Sequence, residues 1–196
     1  MIDYIKGEIT ELAPTRMVLE CGNIGYEINI SLNTFSAMSG RTSCKIFIYE
    51  SIREDAHLLY GFSEKLERDV FILLLSVSGV GPNTARMMLS SMPPQEIARA
   101  IRMENAKALT AAKGIGLKTA QRIIVDLKSK MDTLSTISES VSEVTHSDES
   151  VQNEAVAALV MLGFQKTSSE KVVYAILQKM PDATVEDVIK QALRML

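Results

Sequence analysis

Residues 78–85 read SGVGPNTA, and residues 113–120 read KGIGLKTA. Each phrase runs Gly, β-branched residue, Gly, two variable residues, a small residue and Ala, with an apolar helix-like run in front and behind. The glycines recur at a spacing of 35 residues, which marks a duplicated structural unit and not low-complexity sequence. The apolar spacing predicts helices over 64–76 and 83–90 around the first phrase, a restart at Pro93–Pro94, then 95–103, 107–112 and 118–128, with the second phrase before the last. The order is helix, glycine hairpin, helix, connector, and the same again.

A tight hairpin between packed helices needs conformations or close approaches that a Cβ hinders. Val80 lies between Gly79 and Gly81, and Ile115 between Gly114 and Gly116, each placed to face inward and pin its turn. The second glycine leaves room for a phosphate beside backbone N–H groups at the start of the next helix, which also carries the positive end of the helix dipole. Such a contact reads backbone oxygen and no base. Lys118 and Arg122, four residues apart, share one side of the second helix. Arg86 is the matching candidate after the first turn, Asn83 lies in that turn's variable pair, and Lys113 precedes the second. These residues form the expected phosphate-binding set. The alternative is that both turns only pack helices.

The net charge of −3 looks wrong for a DNA-binding chain, but it is an average. Residues 1–64 balance to −4, residues 65–130 to +6, and residues 131–196 to −5. The basic segment is the one that carries the repeated phrase, and a local basic field attracts phosphate even on an acidic molecule.

Before residue 64 the pattern alternates at period two, in short apolar runs broken by Gly7, Pro14, Gly22–Asn23 and Gly40. Five or six short strands must close on themselves or leave exposed edges, so residues 1–63 are expected to form a small oligonucleotide-binding barrel. Its aromatic residues Tyr4, Tyr26, Phe35, Phe47 and Tyr49 are read as core. Residues 64–131 form the tandem hairpin domain. Residues 132–150 are rich in Ser, Thr, Glu and Asp and read as a flexible acidic linker. Residues 151–196 read as a three-helix module, with helices over 153–162, 168–178 and 184–194 around Val156, Leu159, Leu162, Phe164, Val173, Leu177 and Val188. The fold class is a multidomain β plus α chain.

No GxxxxGK[ST] loop is present, and no grouped carboxylates, histidines and nucleophile support hydrolysis. Cys21 and Cys44 form no CxxC pair and His57 and His146 stand alone, so no metal site or cofactor is expected. Both cysteines lie in strand-like runs and read as buried thiols of a reducing compartment. The charged opening MIDYIKGEITEL is not a signal peptide, and no stretch reaches membrane-span length, so a cytoplasmic location and no membrane partner are expected. Glu54 and Asp55, beside Arg53, read on charge alone as a solvated hairpin tip.

Several motifs together resemble the RuvA family, the Holliday-junction-binding subunits of the RuvAB branch-migration complex. The opening MIDYIKGEI is similar to that family's first barrel strand, GNIGYEI at 22–28 to its GGVGYEV, and REDAHLLYGF at 53–62 to its REDAQLLYGF. SGVGPNTA and KGIGLKTA fall where its two helix-hairpin-helix turns lie, and NEAVAALVMLGF at 153–164 resembles the start of its C-terminal module. The resemblance implies a homotetramer of fourfold symmetry whose basic face holds an open, square-planar four-way DNA junction, with one or two tetramers per junction. It implies that Glu54 and Asp55 form an acidic pin at the centre, which repels phosphates and steers strands. It implies that the third domain, through Leu159, Leu162, Gly163 and Phe164, recruits the hexameric ATPase RuvB, and that a RuvC-type resolvase joins the larger complex. The chain would then be a non-catalytic subunit of an ATP-dependent helicase complex in recombination and DNA repair.

The chain departs from the family pattern at Asn83, where the family often has Lys, and at Lys113 and Leu117, where it often has Pro and Lys. Lys113 compensates the charge lost at Leu117, whereas Asn83 leaves the first clamp weaker. Two other readings remain at this stage. One is a repair accessory protein that binds ordinary duplex, which gives the barrel and REDAHLLYGF no role. The other is a protein-interaction scaffold with purely structural turns.

Overall fold

The computed structural model describes residues 1–140, 148–180 and 183–196, with the backbone alone over 132–140 and 148–150. It divides into two compact units, Met1–Glu139 and Ser140–Leu196.

The first unit opens with strands β1 (Tyr4–Ala13), β2 (Arg16–Cys21), β3 (Ile24–Ile30), β4 (Ser43–Ile52) and β5 (His57–Phe62). They close into a barrel in the order β1-β2-β3-β5-β4, with β3 and β5 parallel and the other pairs antiparallel. Helix α1 (Leu32–Met38) bridges β3 and β4. Closure removes the edges that a five-stranded sheet would otherwise expose. Inward positions alternate along the strands, and Ile5, Met17, Leu19, Ile28, Ile30, Cys44, Ile46 and Ile48 fill the barrel with Met38. The β2–β3 turn places Gly22 and Asn23 at φ of +58° and +65°, the left-handed pair that a two-residue hairpin requires.

Two expectations for this barrel are corrected. Cys21 is exposed, because it ends β2 beside that turn, whereas Cys44 is buried and its thiol pushed up by burial. Tyr4 is half exposed and not core; the Lys45 ammonium lies 3.9 Å from its ring centroid and covers it instead.

Helices α2 (Lys65–Leu75), α3 (Pro82–Ser91), α4 (Pro94–Arg102), α5 (Ala106–Leu109) and α6 (Leu117–Ser140) complete the first unit. The outer side of β5 becomes the floor of the helical core: Tyr60 and Phe62 pack on Phe71 of α2, at 5.3 Å and 4.8 Å between ring centroids. Polar ties reinforce this contact. Glu67 of α2 is buried and accepts hydrogen bonds from Ser31 Oγ, Thr34 Oγ1 and Ser63 Oγ. Ser31 also caps α1 by accepting from Thr34 N, and Thr34 Oγ1 accepts from Ser63 N, so the hydroxyls are used twice. Arg68 donates to Asp3 Oδ1 at 2.6 Å, and Asn33 donates to the Leu89 and Met92 carbonyls at the end of α3. Barrel and tandem are therefore one packed unit and not two beads on a string.

No glycine or proline interrupts α6, and its backbone continues to Ser140, into the segment read as linker. Residues 141–147 of that segment, with His146, lie outside the described residues.

The second unit holds α7 (Asp148–Met161), α8 (Lys166–Leu177) and α9 (Val185–Ala192). Ala155, Val156, Leu159, Val173, Ile176, Val188 and Ala192 form its core, with Phe164 and Leu177 packed at the edge. Thr184 caps α9 by accepting from Asp187 N and donating to Asp187 Oδ2. Contrary to the sequence expectation of a core position, Leu162 is 60% exposed, because α7 ends at Met161 and the chain turns through Gly163 at φ +98°.

Candidate nucleic-acid interface

The two glycine turns share one geometry. Val80 and Ile115 are buried at 6% and 5% exposure, and their N–H groups donate to the carbonyls three residues back, Val77 and Ala112. Gly79 and Gly114 take φ of +91° and +94°. Ala85 N donates to Gly81 O and Ala120 N to Gly116 O, both at 2.9 Å, which starts the following helix in each copy. Ala85 and Ala120 are fully buried, which explains the small residue at that place in both phrases.

Gly81 and Gly116 differ from their partners. Neither has a positive φ, and a Cβ built on either meets nothing within 4 Å. The turn itself therefore accepts a side chain at these positions, and the expectation that one would strain the hairpin there is corrected. Open space lies instead over the first turns of α3 and α6. No side chain caps the N-terminus of α3, and Pro82 at its first position has no N–H to satisfy. A helix N-terminus with uncapped first-turn N–H groups is the arrangement that accepts an anion.

The expected cations separate on inspection. Lys113 and Lys118 are exposed beside the second turn, and Asn83 is exposed at the first. Arg122 is exposed and reaches from α6 to the Ser78 carbonyl of the first turn at 3.5 Å, so it borders both turns. Arg86 departs from expectation. Its Nη1 donates to Thr15 O at 3.1 Å and to Asn29 Oδ1 at 3.0 Å, so the guanidinium is turned into the barrel and not toward the opening.

Glu54 and Asp55 are exposed at the tip of the β4–β5 hairpin, closed by Arg53 N donating to Ala56 O at 2.8 Å. The hairpin stem is braced by Glu50, which accepts from Ile2 N at 2.8 Å and meets His57 Nε2 at 3.3 Å. Donation from the Ile2 amide, helped by His57, holds the Glu50 carboxyl below its ordinary range. An open cleft of about 720 Å³ separates this stem, Tyr49–Arg53, from the first turn, Val80–Pro82. Sequence reading did not anticipate this cleft, because it joins residues some 30 positions apart that only barrel closure brings together.

In the second unit Leu159 is fully buried, whereas Val160, Met161 and Leu162 are exposed in succession, Met161 at 89%. Leu159 therefore cannot touch a partner directly and instead supports the helix that presents its neighbours. Sequence reading missed Val160 and Met161, because α7 is apolar on most sides and its periodicity does not reveal which face is free. Among the described residues, no three His, Cys, Asp or Glu side chains gather as metal ligands, and no helix is long and apolar enough to cross a membrane.

A closed barrel fused to paired helix-hairpin-helix turns, with exposed lysines at one turn, defines a class of proteins that grip nucleic-acid backbone without reading bases. The comparisons narrow that class. Residues 1–61 match the RuvA N terminal domain, residues 71–129 a SAM-like helix-hairpin-helix tandem, and residues 150–196 the RuvA C-terminal domain. Relatives described as "Holliday junction branch migration complex subunit RuvA" are 64% identical in Parabacteroides distasonis, 55% in Bacteroides fragilis and 52% in Porphyromonas gingivalis, each over all of both chains. The chain belongs to the RuvA family.

Proposed function

We propose that this chain binds four-way junction DNA and serves as the non-catalytic subunit of a branch-migration complex. Four copies around a fourfold axis present the glycine turns to the junction arms, where Gly79–Gly81 with Asn83 and Gly114–Gly116 with Lys113, Lys118 and Arg122 hold phosphates. Glu54 and Asp55 stand at the centre as a pin that keeps backbones apart and leaves the crossover open. One or two tetramers cover the junction. Val160, Met161 and Leu162, next to Gly163 and Phe164, receive a RuvB-type ATPase, which supplies the energy this chain has no motif to harvest. A RuvC-type resolvase acts on the same junction, and the setting is the cytoplasm.

The observation that carries this reading is the presence, in one packed unit, of two glycine turns with matching φ and hydrogen bonding and an exposed acidic hairpin across a cleft from one of them. Turns alone would suit any duplex binder. A pair of carboxylates beside them disfavours continuous backbone and favours DNA with an open centre. Gel-shift titrations of a four-way junction and a duplex with the same arm sequence test it. Tighter binding of the junction is expected. Equal affinity for both would favour the repair-accessory reading, and no salt-sensitive binding at all would favour the scaffold.

A further inference from the structure

The width of the cleft between the acidic hairpin and the first glycine turn is not fixed by packing across it, because the cleft is open. It depends on connections elsewhere in the unit. One such connection begins on the helix that follows the turn and ends on the strand that carries the hairpin. Arg86 lies on α3, one residue after the Ala85 amide that closes onto Gly81 O. Its Nη1 donates to Asn29 Oδ1 at 3.0 Å and to Thr15 O at 3.1 Å. Asn29, on β3, donates in turn through Nδ2 to Leu59 O of β5 at 3.2 Å. Leu59 pairs with Glu50 across the β4–β5 ladder, and the next pairs, Ser51 with Leu58 and Ile52 with His57, lead to the Arg53–Ala56 closure below Glu54 and Asp55. Thr15 O also accepts from Ile30 N at 3.1 Å, so the β1–β2 turn is held to the same point.

We infer that Arg86 and Asn29 form a strut that sets the distance between the first phosphate clamp and the acidic hairpin, and so act as positioning residues for the choice of junction over duplex. This rests on the junction-binding reading above. Three features support a positioning role. The guanidinium is half-buried against the barrel, whereas a phosphate ligand would point outward. Its Nη1 is shared between Asn29 on β3 and the Thr15 carbonyl in the β1–β2 turn, so one side chain ties two separate parts of the barrel to α3. Asn29 spends both ends of its amide on the relay, oxygen to Arg86 and nitrogen to Leu59. Of the other polar ties between barrel and tandem, those at Glu67 and Asn33 do not reach the hairpin-bearing strands, whereas Arg68 meets β4 at its far end through Asp3 O, which also accepts from Ile48 N at 2.8 Å.

The test titrates junction and duplex with the wild-type chain, Arg86→Ala and Asn29→Ala, each at several salt concentrations after circular dichroism has established folding. Both variants are expected to lose junction-over-duplex preference by roughly five- to tenfold, the low end of coupling between separate sites. The slope of log K against log salt is expected to stay at the wild-type value, because no phosphate contact is lost. A phosphate-binding Arg86 would lower that slope by about 0.9 for each contact removed, and a shallower slope for Arg86→Ala overturns the strut. So does an unchanged preference in both folded variants. If Arg86→Ala fails to fold, Asn29→Ala carries the decision. It cuts the relay to Leu59 O without removing a cation, so a reduced preference at constant slope supports the strut and retained preference overturns it. A wild-type chain that does not prefer the junction overturns the proposed function and the strut together, which separates the two failures.

Discussion

Gly79 and Gly81, on either side of the buried Val80, are constrained in opposite ways. Gly79 has φ +91° and Gly81 φ −94°, although a Cβ on either would meet open space. The second turn repeats the contrast at Gly114 and Gly116. The first glycine of each pair is required by its backbone conformation, whereas the second is not. Gly79→Ala or Gly114→Ala should lower stability by about 1–2 kcal/mol, the cost of a left-handed L-residue. Gly81→Ala and Gly116→Ala should melt within about 0.5 kcal/mol of wild type yet weaken junction binding, since each lost charge-assisted contact is worth about 1.5 kcal/mol, roughly tenfold in Kd. Thermal melts and anisotropy titrations of the four variants measure both quantities. Normal junction affinity for folded Gly81→Ala and Gly116→Ala would make the turns structural only.

Glu67 predicts an acid-side gain in stability. Burial raises its pKa above the ordinary carboxylate value, although the hydroxyls of Ser31, Thr34 and Ser63 oppose the rise. A carboxyl with a raised folded pKa favours folding most when protonated. Its contribution is full below the unfolded pKa and is lost as pH climbs through the folded one. Wild type should therefore gain stability relative to Glu67→Gln as pH falls from neutral toward the ordinary carboxylate range. Urea midpoints for the two proteins at several pH values read this directly. A stability difference that stays constant with pH would show that Glu67 titrates normally.

The elements that sequence predicted well are those whose signal is local. Gly-Val-Gly and Gly-Ile-Gly fix their own turns, and Val80 and Ile115 face inward because a β-branched residue between two glycines has nowhere else to pack. Period-two alternation gave the barrel, since each inward residue is buried by closure itself. What escaped depends on long-range geometry. Arg86 sits where a phosphate-binding cation belongs by helix position, and only the proximity of Thr15 and Asn29, 71 and 57 residues away in sequence, turns it into the barrel. Leu162 has the apolarity of a core residue, but the helix ends one position earlier and leaves it outside. Residues 132–140 carry both signals, a polar composition that reads as linker and helix propensity without Gly or Pro that lets the α6 backbone continue.

The second unit separates core from contact within two turns of α7. Leu159→Ala should destabilise that unit by about 2–5 kcal/mol, since a fully buried leucine leaves a cavity. Met161→Ala and Leu162→Ala remove exposed side chains and should change stability by less than about 0.5 kcal/mol. If these residues receive the ATPase, the two exposed variants should bind junction normally but fail to stimulate ATP hydrolysis by the motor. Coupled-ATPase assays beside thermal melts distinguish the cases. Full stimulation by the Met161→Ala, Leu162→Ala double variant would move the motor contact elsewhere.

Glu54 and Asp55 give the prediction that bears most directly on junction choice. Both are exposed at a hairpin tip, and among the described residues neither has a hydrogen bond or ion pair that would give it a structural duty. In the proposed fourfold assembly each subunit would bring two carboxylates toward the axis. Phosphates approaching that axis meet like charge, and a duplex running across the face must bring its backbone there, whereas the arms of an open junction keep theirs clear. Repulsion of the wrong ligand is therefore larger than repulsion of the right one, and specificity follows from the difference. Replacing both residues with their amides should preserve or raise affinity for the junction and raise affinity for duplex more, so the ratio between them falls. The change should shrink as salt rises, because exposed charges are screened over about 10 Å at 0.1 M. A solvated tip without a role would behave differently, with stability altered by a few tenths of a kcal/mol and the ratio untouched. Titrating both substrates at one low and one physiological salt concentration decides between them, and an unchanged ratio at low salt would remove the pin from the mechanism.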